Sequence, residues 1–239
     1  MEWTNGKIIA EVRQPTEYNM YYKFLVGLKG YISYRNIYID NQDKDYSNFL
    51  EQYEKVIDTT IIDLDRAFIL YQAAIASANI EGCSAECGVY KGGGSILIAM
   101  NRPNSPHYAM DTFEGFPDVI TDLDLLDKGG FSEVSNVDLR RHLGKCPNIF
   151  ALKGPFSETF KFIEDKRFSF VHFDSDLYVS TLECLQFFYP RFTKGGIMLF
   201  DDYLIADTPG VKKAVDEFFA TVPECPIILP TSQAIVYKL

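Results

Sequence analysis

Four aspartates in this chain stand where they could act on one ligand. The run FSFVHFD (168–174) is apolar nearly throughout and stops at Asp174 and Asp176, and IMLF (197–200) stops at Asp201 and Asp202. Unbroken apolar runs of this length suit strands buried on both faces of a parallel sheet. Joined by a helix, two such strands bring their C-terminal ends to one edge, which is where open α/β sheets bind ligands. All four carboxylates are expected to converge there. They repel one another unless something positive lies between them, and a hard divalent cation is the simplest remedy. A single aspartate reads as a helix or turn cap. Four at two adjacent strand ends exceed that reading.

A second cluster lies upstream. Ser84 to Ser95 reads SAECGVYKGGGS, a short strand, a glycine-rich turn and the start of a helix. Such a turn lets backbone approach a ligand, and a new helix offers free N–H groups, although many such turns are only tight connections. There is no G-x-x-x-x-G-K-[ST], so a triphosphate loop is not expected. Glu86, before Gly88, suits a ligand with a cationic or hydroxyl-bearing part. HYAMD (107–111) reads as the next strand, and Asp111 stands 25 residues after Glu86. That is close to the interval at which an acid ending the second strand takes ribose hydroxyls. The competing reading of Asp111 is a turn or helix cap.

The elements that position these groups follow from periodicity. Helices are expected over 61–78, 137–143, 178–189 and 209–220, with SETFKFIEDK (157–166) as another, and strands at 148–154 and in the final PIILPTSQAIVYKL. Pro190 ends the 178–189 helix, and Lys194-Gly195-Gly196 turns the chain into IMLF. The closing strands form a hairpin around Thr231-Ser232-Gln233. The order predicts a doubly wound, mostly parallel seven-stranded α/β sheet with an antiparallel edge strand, over residues 61–239. Residues 1–60 are distinct. Tyr18, Tyr21, Tyr22, Tyr31, Tyr34, Tyr38, Tyr46 and Tyr53 crowd there. Short helices or turns around Gly27 and Gly30 are expected, as a cap or lid over the ligand edge or as a subunit contact. The acidic 118–135 stretch reads as a surface loop.

The chain has 239 residues, 47% hydrophobic and 23% charged, with a net charge of −10. Those are the proportions of an ordinary globular protein. The charge argues against nucleic acid and against an anionic membrane surface as partners. Cys83, Cys87, Cys146, Cys184 and Cys225 show no C-x-x-C pair. They read as free thiols in a reducing compartment. With no secretory h-region and no run of bilayer-spanning length, a cytoplasmic location is expected.

E-C-G-V-Y-K-G-G-G-S, D-T-F-E-G-F-P, D-S-D-L-Y-V-S-T and F-D-D-Y, in this order, resemble the macrocin O-methyltransferase family over about residues 62–222. The resemblance implies a class I methyltransferase fold, S-adenosylmethionine as donor, Mg²⁺, and methyl transfer to a hydroxyl, commonly on a sugar of a natural product. It implies donor contacts at Glu86, Gly88, Tyr90, Gly92 and Ser95, at Asp111, Thr112 and Phe113, at Gly154 and Phe156 near the adenine, and at Asp174. It makes Asp174, Asp201 and Asp202 the metal ligands. Residues 1–60 depart from the family pattern, and with the 118–135 loop they are where acceptor choice is expected to reside. From the residues themselves, a divalent cation would lower the pKa of a sugar or catechol hydroxyl. Asp176, or Asp174 while ligating, is the expected base. His172 is the poorer choice because its strand neighbours suggest it points elsewhere. The expected partner is a small, sugar-containing hydroxyl acceptor, and a homo-oligomer is expected. Two other classes compete. A nicotinamide oxidoreductase would want G-x-G-x-x-G, which Gly88 to Gly94 do not supply. A non-catalytic donor-binding subunit would not need the acids.

Overall fold

The apolar runs become the central strands of a sheet. The computed structural model describes residues 3–4, 7–8, 22–28, 31–37, 44–116, 123, 125–126, 129–132 and 136–239. They fall into two compact units, Met1–Leu50 and Glu51–Leu239. In the first, β1 (Trp3–Thr4) pairs antiparallel with β2 (Lys7–Ile8). β3 (Tyr22–Leu28) pairs antiparallel with β4 (Tyr31–Ile37), from Tyr22↔Ile37 to Leu28↔Tyr31. The expected short helices or turns are therefore a hairpin. Aromatic and β-branched residues recur in alternation along the first run (Tyr22, Phe24, Val26) and supply four of the seven residues in the second, and only Lys29-Gly30 separates them, a hairpin spacing. Tyr18, Tyr21, Tyr38 and most of 118–135 lie outside the described residues.

Helix α1 (Lys44–Glu54) is followed by α2 (Leu64–Ala76), β5 (Cys83–Cys87), α3 (Gly93–Asn101), β6 (His107–Asp111), α4 (Asn136–Leu143) and β7 (Ile149–Lys153). Then come α5 (Phe156–Thr159), β8 (Phe168–Phe173), α6 (Tyr178–Phe188), β9 (Phe192–Phe200), α7 (Pro209–Phe219), β10 (Ile227–Ile228) and β11 (Ala234–Tyr237). The seven-stranded sheet runs β10-β11-β9-β8-β5-β6-β7. β9, β8, β5, β6 and β7 are parallel, and β11 and β10 finish one edge antiparallel. This is the doubly wound sheet that the sequence predicts.

Two local expectations change. SETFKFIEDK is a single α-turn followed by a one-turn 3-10 helix, Phe160–Phe162. Lys194-Gly195-Gly196 lies within β9 and does not precede it. The strand bulges there, so that Phe168↔Phe192 is followed by Phe170↔Ile197. The extra residues are absorbed while both ends stay paired, as glycines in strands allow.

Apolar side chains pack on both faces. Leu185, Phe188, Val211, Val215 and Phe219 cover one with Phe168 and Phe173, and Ile96, Ala99, Leu139 and Leu143 cover the other with Ala109. Phe168, Phe170, Phe173, Phe188 and Phe200 are essentially inaccessible to solvent. Each contributes about 2 kcal/mol relative to an exposed side chain, so the register that fixes the strand ends is well specified. Among the described residues no helix is long and apolar enough to cross a membrane, and the five cysteines are free thiols.

Candidate active site

The chain runs from β5 outward through β6 and β7, then returns to place β8 on the other side of β5 and β9 beyond it. A reversal of this kind opens a crevice at the strand ends. The ladder continues into it: the Asp174 N–H donates to Cys87 O and the Asp201 N–H to Phe173 O, both at 2.9 Å. Gly88 is held so near β8 that a Cβ on it would lie 1.9 Å from Asp174 O, at φ +89°. Its glycine is demanded by the close approach of two strand ends. A cleft with about 170 Å³ of water-accessible space opens above them.

The acids sort by partner. One carboxylate oxygen from each of Asp174, Asp176 and Asp202 lies within 4.8 Å of the others. Burial first, and then the Asp202 charge, push Asp174 and Asp176 well above the ordinary carboxylate range. Burial would raise Asp202 too, but hydrogen bonding with Asp176 and the charge of Arg66 hold it below its ordinary value. Its Oδ2 is buried and meets no N–H or hydroxyl donor, only the carboxyls of Asp174 and Asp176, while Oδ1 accepts from Arg66 Nη2 at 2.7 Å. Asp201, expected among the ligands, is absent from this cluster. Its Oδ1 accepts from Gln233 Nε2 at 2.6 Å and its Oδ2 from Arg66 Nη2. Burial would lower Arg66, but the charges of Asp202 and Asp174 outweigh it, so the guanidinium stays charged. Three hard oxygen donors, one of them orphaned in a buried position, fit a divalent cation such as Mg²⁺.

Beneath the acids a polar line crosses the sheet. His172 is fully buried and does not line the cleft; Nδ1 donates to Glu86 Oε1 at 2.9 Å, and Nε2 faces Asp201 Oδ1 at 3.4 Å without a hydrogen bond. Ser95 Oγ donates to the other Glu86 oxygen. His107 Nε2 donates to Ser95 Oγ and its Nδ1 accepts from Ser84 Oγ, both at 3.0 Å. Burial lowers His107 to about 3, so it stays neutral. Glu86 is thus immobilised from two sides. Gly94 leaves it room, because a Cβ there would strike Glu86 Oε1 at 2.2 Å.

Asp111 fixes the glycine turn. Its Oδ2 accepts the N–H groups of Val89 (2.7 Å) and Tyr90 (3.1 Å), and its Oδ1 accepts that of Phe113 (2.7 Å). It caps the turn and still lines the cleft, with lone pairs left for a ligand hydroxyl. Tyr90 and Asp176, both in the cleft wall, have φ of 50° and 60°. Such a conformation costs about 1 kcal/mol in a non-glycine residue. The Phe131 ring meets Tyr90 and Phe116 edge to face, each at 5.4 Å, and makes an aromatic wall.

Of the residues expected from the sequence, Glu86, Gly88, Tyr90, Asp111, Thr112, Phe156, Asp174, Asp176, Asp201 and Asp202 line the cleft. Gly92, Ser95, Phe113 and Gly154 do not. Gly92 abuts Leu143, Phe113 is buried in the core of α3 and α4, and Ser95 acts through Glu86. Arg66 and Gln233 were not anticipated. Arg66 had a signal, as a lone cation in a helix otherwise rich in alanine and large apolar residues. Gln233, in a hairpin turn, had none.

An open, mostly parallel seven-stranded sheet of this order, flanked by helices and with a cleft at its switch point, has the class I methyltransferase fold. A solved structure of the O-methyltransferase NovP superposes with a TM-score of 0.66 at 26% identity, over 75% of this chain and 82% of NovP. The model of the macrocin O-methyltransferase (TylF) family matches residues 66–223, and the chain belongs to that family. The demethyldecarbamoylnovobiocin O-methyltransferase of Streptomyces niveus is 30% identical over 158 residues, 59% of this chain and 60% of that protein. The mycinamicin III 3''-O-methyltransferase of Micromonospora griseorubida is 29% identical over 157 residues, 58% of this chain and 61% of that protein. The chain therefore spans about 60% of the length of these curated relatives.

Proposed function

We propose that this protein transfers the methyl group of S-adenosylmethionine to a hydroxyl on a sugar-bearing small molecule, with Mg²⁺ held by Asp174, Asp176 and Asp202. The observation that carries this reading is the meeting of those three carboxylates with Glu86 and Asp111 around one cleft, in a chain of the macrocin O-methyltransferase family. When bound, the donor supplies a methyl on a sulfonium, already a good leaving group, and the cation lowers the pKa of an acceptor hydroxyl. The chain's own part is largely positioning. Glu86, fixed by Ser95 and His172, accepts from the donor's amino group, and Asp111 accepts from its ribose. Phe156 and Tyr90 offer ring faces to the adenine. Asp174 or Asp176, beside the cation, would take the hydroxyl proton, whose own pKa the cation lowers. The new O–CH₃ bond forms as the C–S bond breaks, sulfur keeps the electron pair, and the proton passes to an aspartate oxygen.

Residues 1–60 form a cap, lid or subunit contact in this proposal, within a homo-oligomer, and together with 118–135 they choose the acceptor. The test is transfer of labelled methyl from S-adenosylmethionine to a panel of glycosylated natural products and free sugars, with and without a chelator. Transfer that chelation abolishes and Mg²⁺ restores is expected. Tight binding of the demethylated donor with no transfer to any acceptor would instead indicate a donor-binding subunit. NAD binding in its place would revive the oxidoreductase reading, which family membership does not favour.

A further inference from the structure

The polar line beneath the glycine turn involves more residues than Glu86 and its two neighbours. Ser84 and Glu86 share one face of β5, two residues apart. Ser84 stands opposite His107 of β6, and Glu86 stands opposite His172 of β8. Ser84, Glu86, Ser95, His107 and His172 are all buried, and of the five only Glu86 lines the cleft. The direction of each hydrogen bond follows from the carboxylate, which can only accept. Ser95 Oγ gives its proton to Glu86 Oε2, so it must accept from His107 Nε2 at 3.0 Å. Burial holds His107 down to about 3, so the ring is neutral and its Nδ1 is left to accept from Ser84 Oγ at 3.0 Å. His172 Nδ1 takes the other Glu86 oxygen at 2.9 Å.

We propose that Ser95 and His107 are positioning residues for the donor: backed by Ser84, they hold the Glu86 carboxylate in the orientation that receives the α-amino group of S-adenosylmethionine, without touching the donor themselves. The proposal rests on the donor-binding reading given above. Buried polar side chains are costly unless each is partnered. Replacing such a set by apolar residues of the same shape can be neutral or even stabilising, so stability alone does not call for it. What the line supplies is orientation. A glutamate side chain is flexible, and this one is held from α3 through Ser95 and from β8 through His172. Each of its oxygens keeps a second lone pair for a ligand. Gly94 also lines the cleft, and a Cβ there would strike Glu86 Oε1 at 2.2 Å. Loss of one well-aimed hydrogen bond to a charged group is expected to weaken binding about tenfold.

The test is calorimetric titration of the full chain with two ligands, S-adenosylhomocysteine and methylthioadenosine. The second keeps the nucleoside and lacks the amino acid end, so its binding also reports a correctly folded cleft. Ser95→Ala and His107→Leu are each expected to weaken S-adenosylhomocysteine about tenfold and to leave methylthioadenosine unchanged. His107→Gln, whose amide can donate in place of Nε2, should restore most of the lost affinity. In a Glu86→Gln background Ser95→Ala should cost nothing further, since the two residues act as one unit. Wild-type affinity for S-adenosylhomocysteine in both Ser95→Ala and His107→Leu overturns the proposal. An equal loss for both ligands makes the line structural only and overturns it too, as does a full loss from Ser95→Ala on top of Glu86→Gln. A wild-type chain that binds both ligands equally tightly gives Glu86 no amino group to orient toward, with the same result. A wild-type chain that binds neither ligand removes the donor reading itself, and the proposal with it.

Discussion

Two arginines, Arg66 half-buried and Arg102 buried, stand near opposite ends of this sheet, and their surroundings differ. Arg66, at the C-terminal strand ends, bridges Asp201 and Asp202. Arg102, just after α3, has no carboxylate among its hydrogen-bond partners. It donates to Ser77 Oγ at 2.7 Å, Ser169 Oγ at 2.6 Å and Gly82 O at 3.1 Å, while its Nε is unpartnered. Burial lowers Arg102 to about 10, whereas the aspartates keep Arg66 above its ordinary value. Arg102, which does not line the cleft, ties backbone and hydroxyls together. The other balances a surplus of negative charge that the fold has gathered at one edge. The surplus is itself destabilising, since Asp174 and Asp176 are held away from their charged forms. A protein selected for stability alone has no use for it.

The comparison breaks if the two ends cannot be separated by mutation. The largest effect is expected at the cleft. Asp174→Asn should lower methyl transfer about a thousandfold with thermal stability equal to wild type or higher, measured by initial rates and by calorimetric melting. Next comes Arg102→Met, which strips three hydrogen bonds from buried partners. It should cost about 3 kcal/mol in denaturant titration, yet leave the Michaelis constant for the donor unchanged. A loss of donor affinity in that variant would show that the two ends are coupled.

The smallest effect sharpens the comparison through pH. Asp176 has a folded-state pKa above its unfolded one, so its contribution to stability is fully present below the unfolded value and is lost as pH rises through the folded one. Asp176→Asn removes that loss, and asparagine tolerates the left-handed φ of 60° at this position. The variant should be stabilised by about 1 kcal/mol near neutral pH, raising the melting temperature by about 3 °C. The gain should vanish once the medium is acidic enough to protonate aspartate in the unfolded chain. A gain that persists in acid would place its origin outside this charge cluster.

Much of the sheet was legible because buried parallel strands are written locally. FSFVHF and HYAMD form β8 and β6 within a residue of the expected ends, and the acids after β8 and β9 do reach one cleft. The 22–37 hairpin was harder to read, since its tyrosines suit a wet cap as well as a strand. Gly92 and Gly154 sit in glycine-marked turns like that of Gly88, but only position relative to the β5–β8 crevice separates a cleft-lining glycine from a packing one.

The sequence by itself determined the fold class, the strand ends and the presence of four acids near one point, because apolar periodicity and turn residues act over a few neighbours. The tertiary structure alone decided what each acid faces. Arg66 and Asp201 are 135 positions apart, and Asp201 and Gln233 are 32 apart. A carboxylate's orientation is set by the donors that surround it, and these donors arrive from α2 and from the turn before β11 only once the sheet has closed around them.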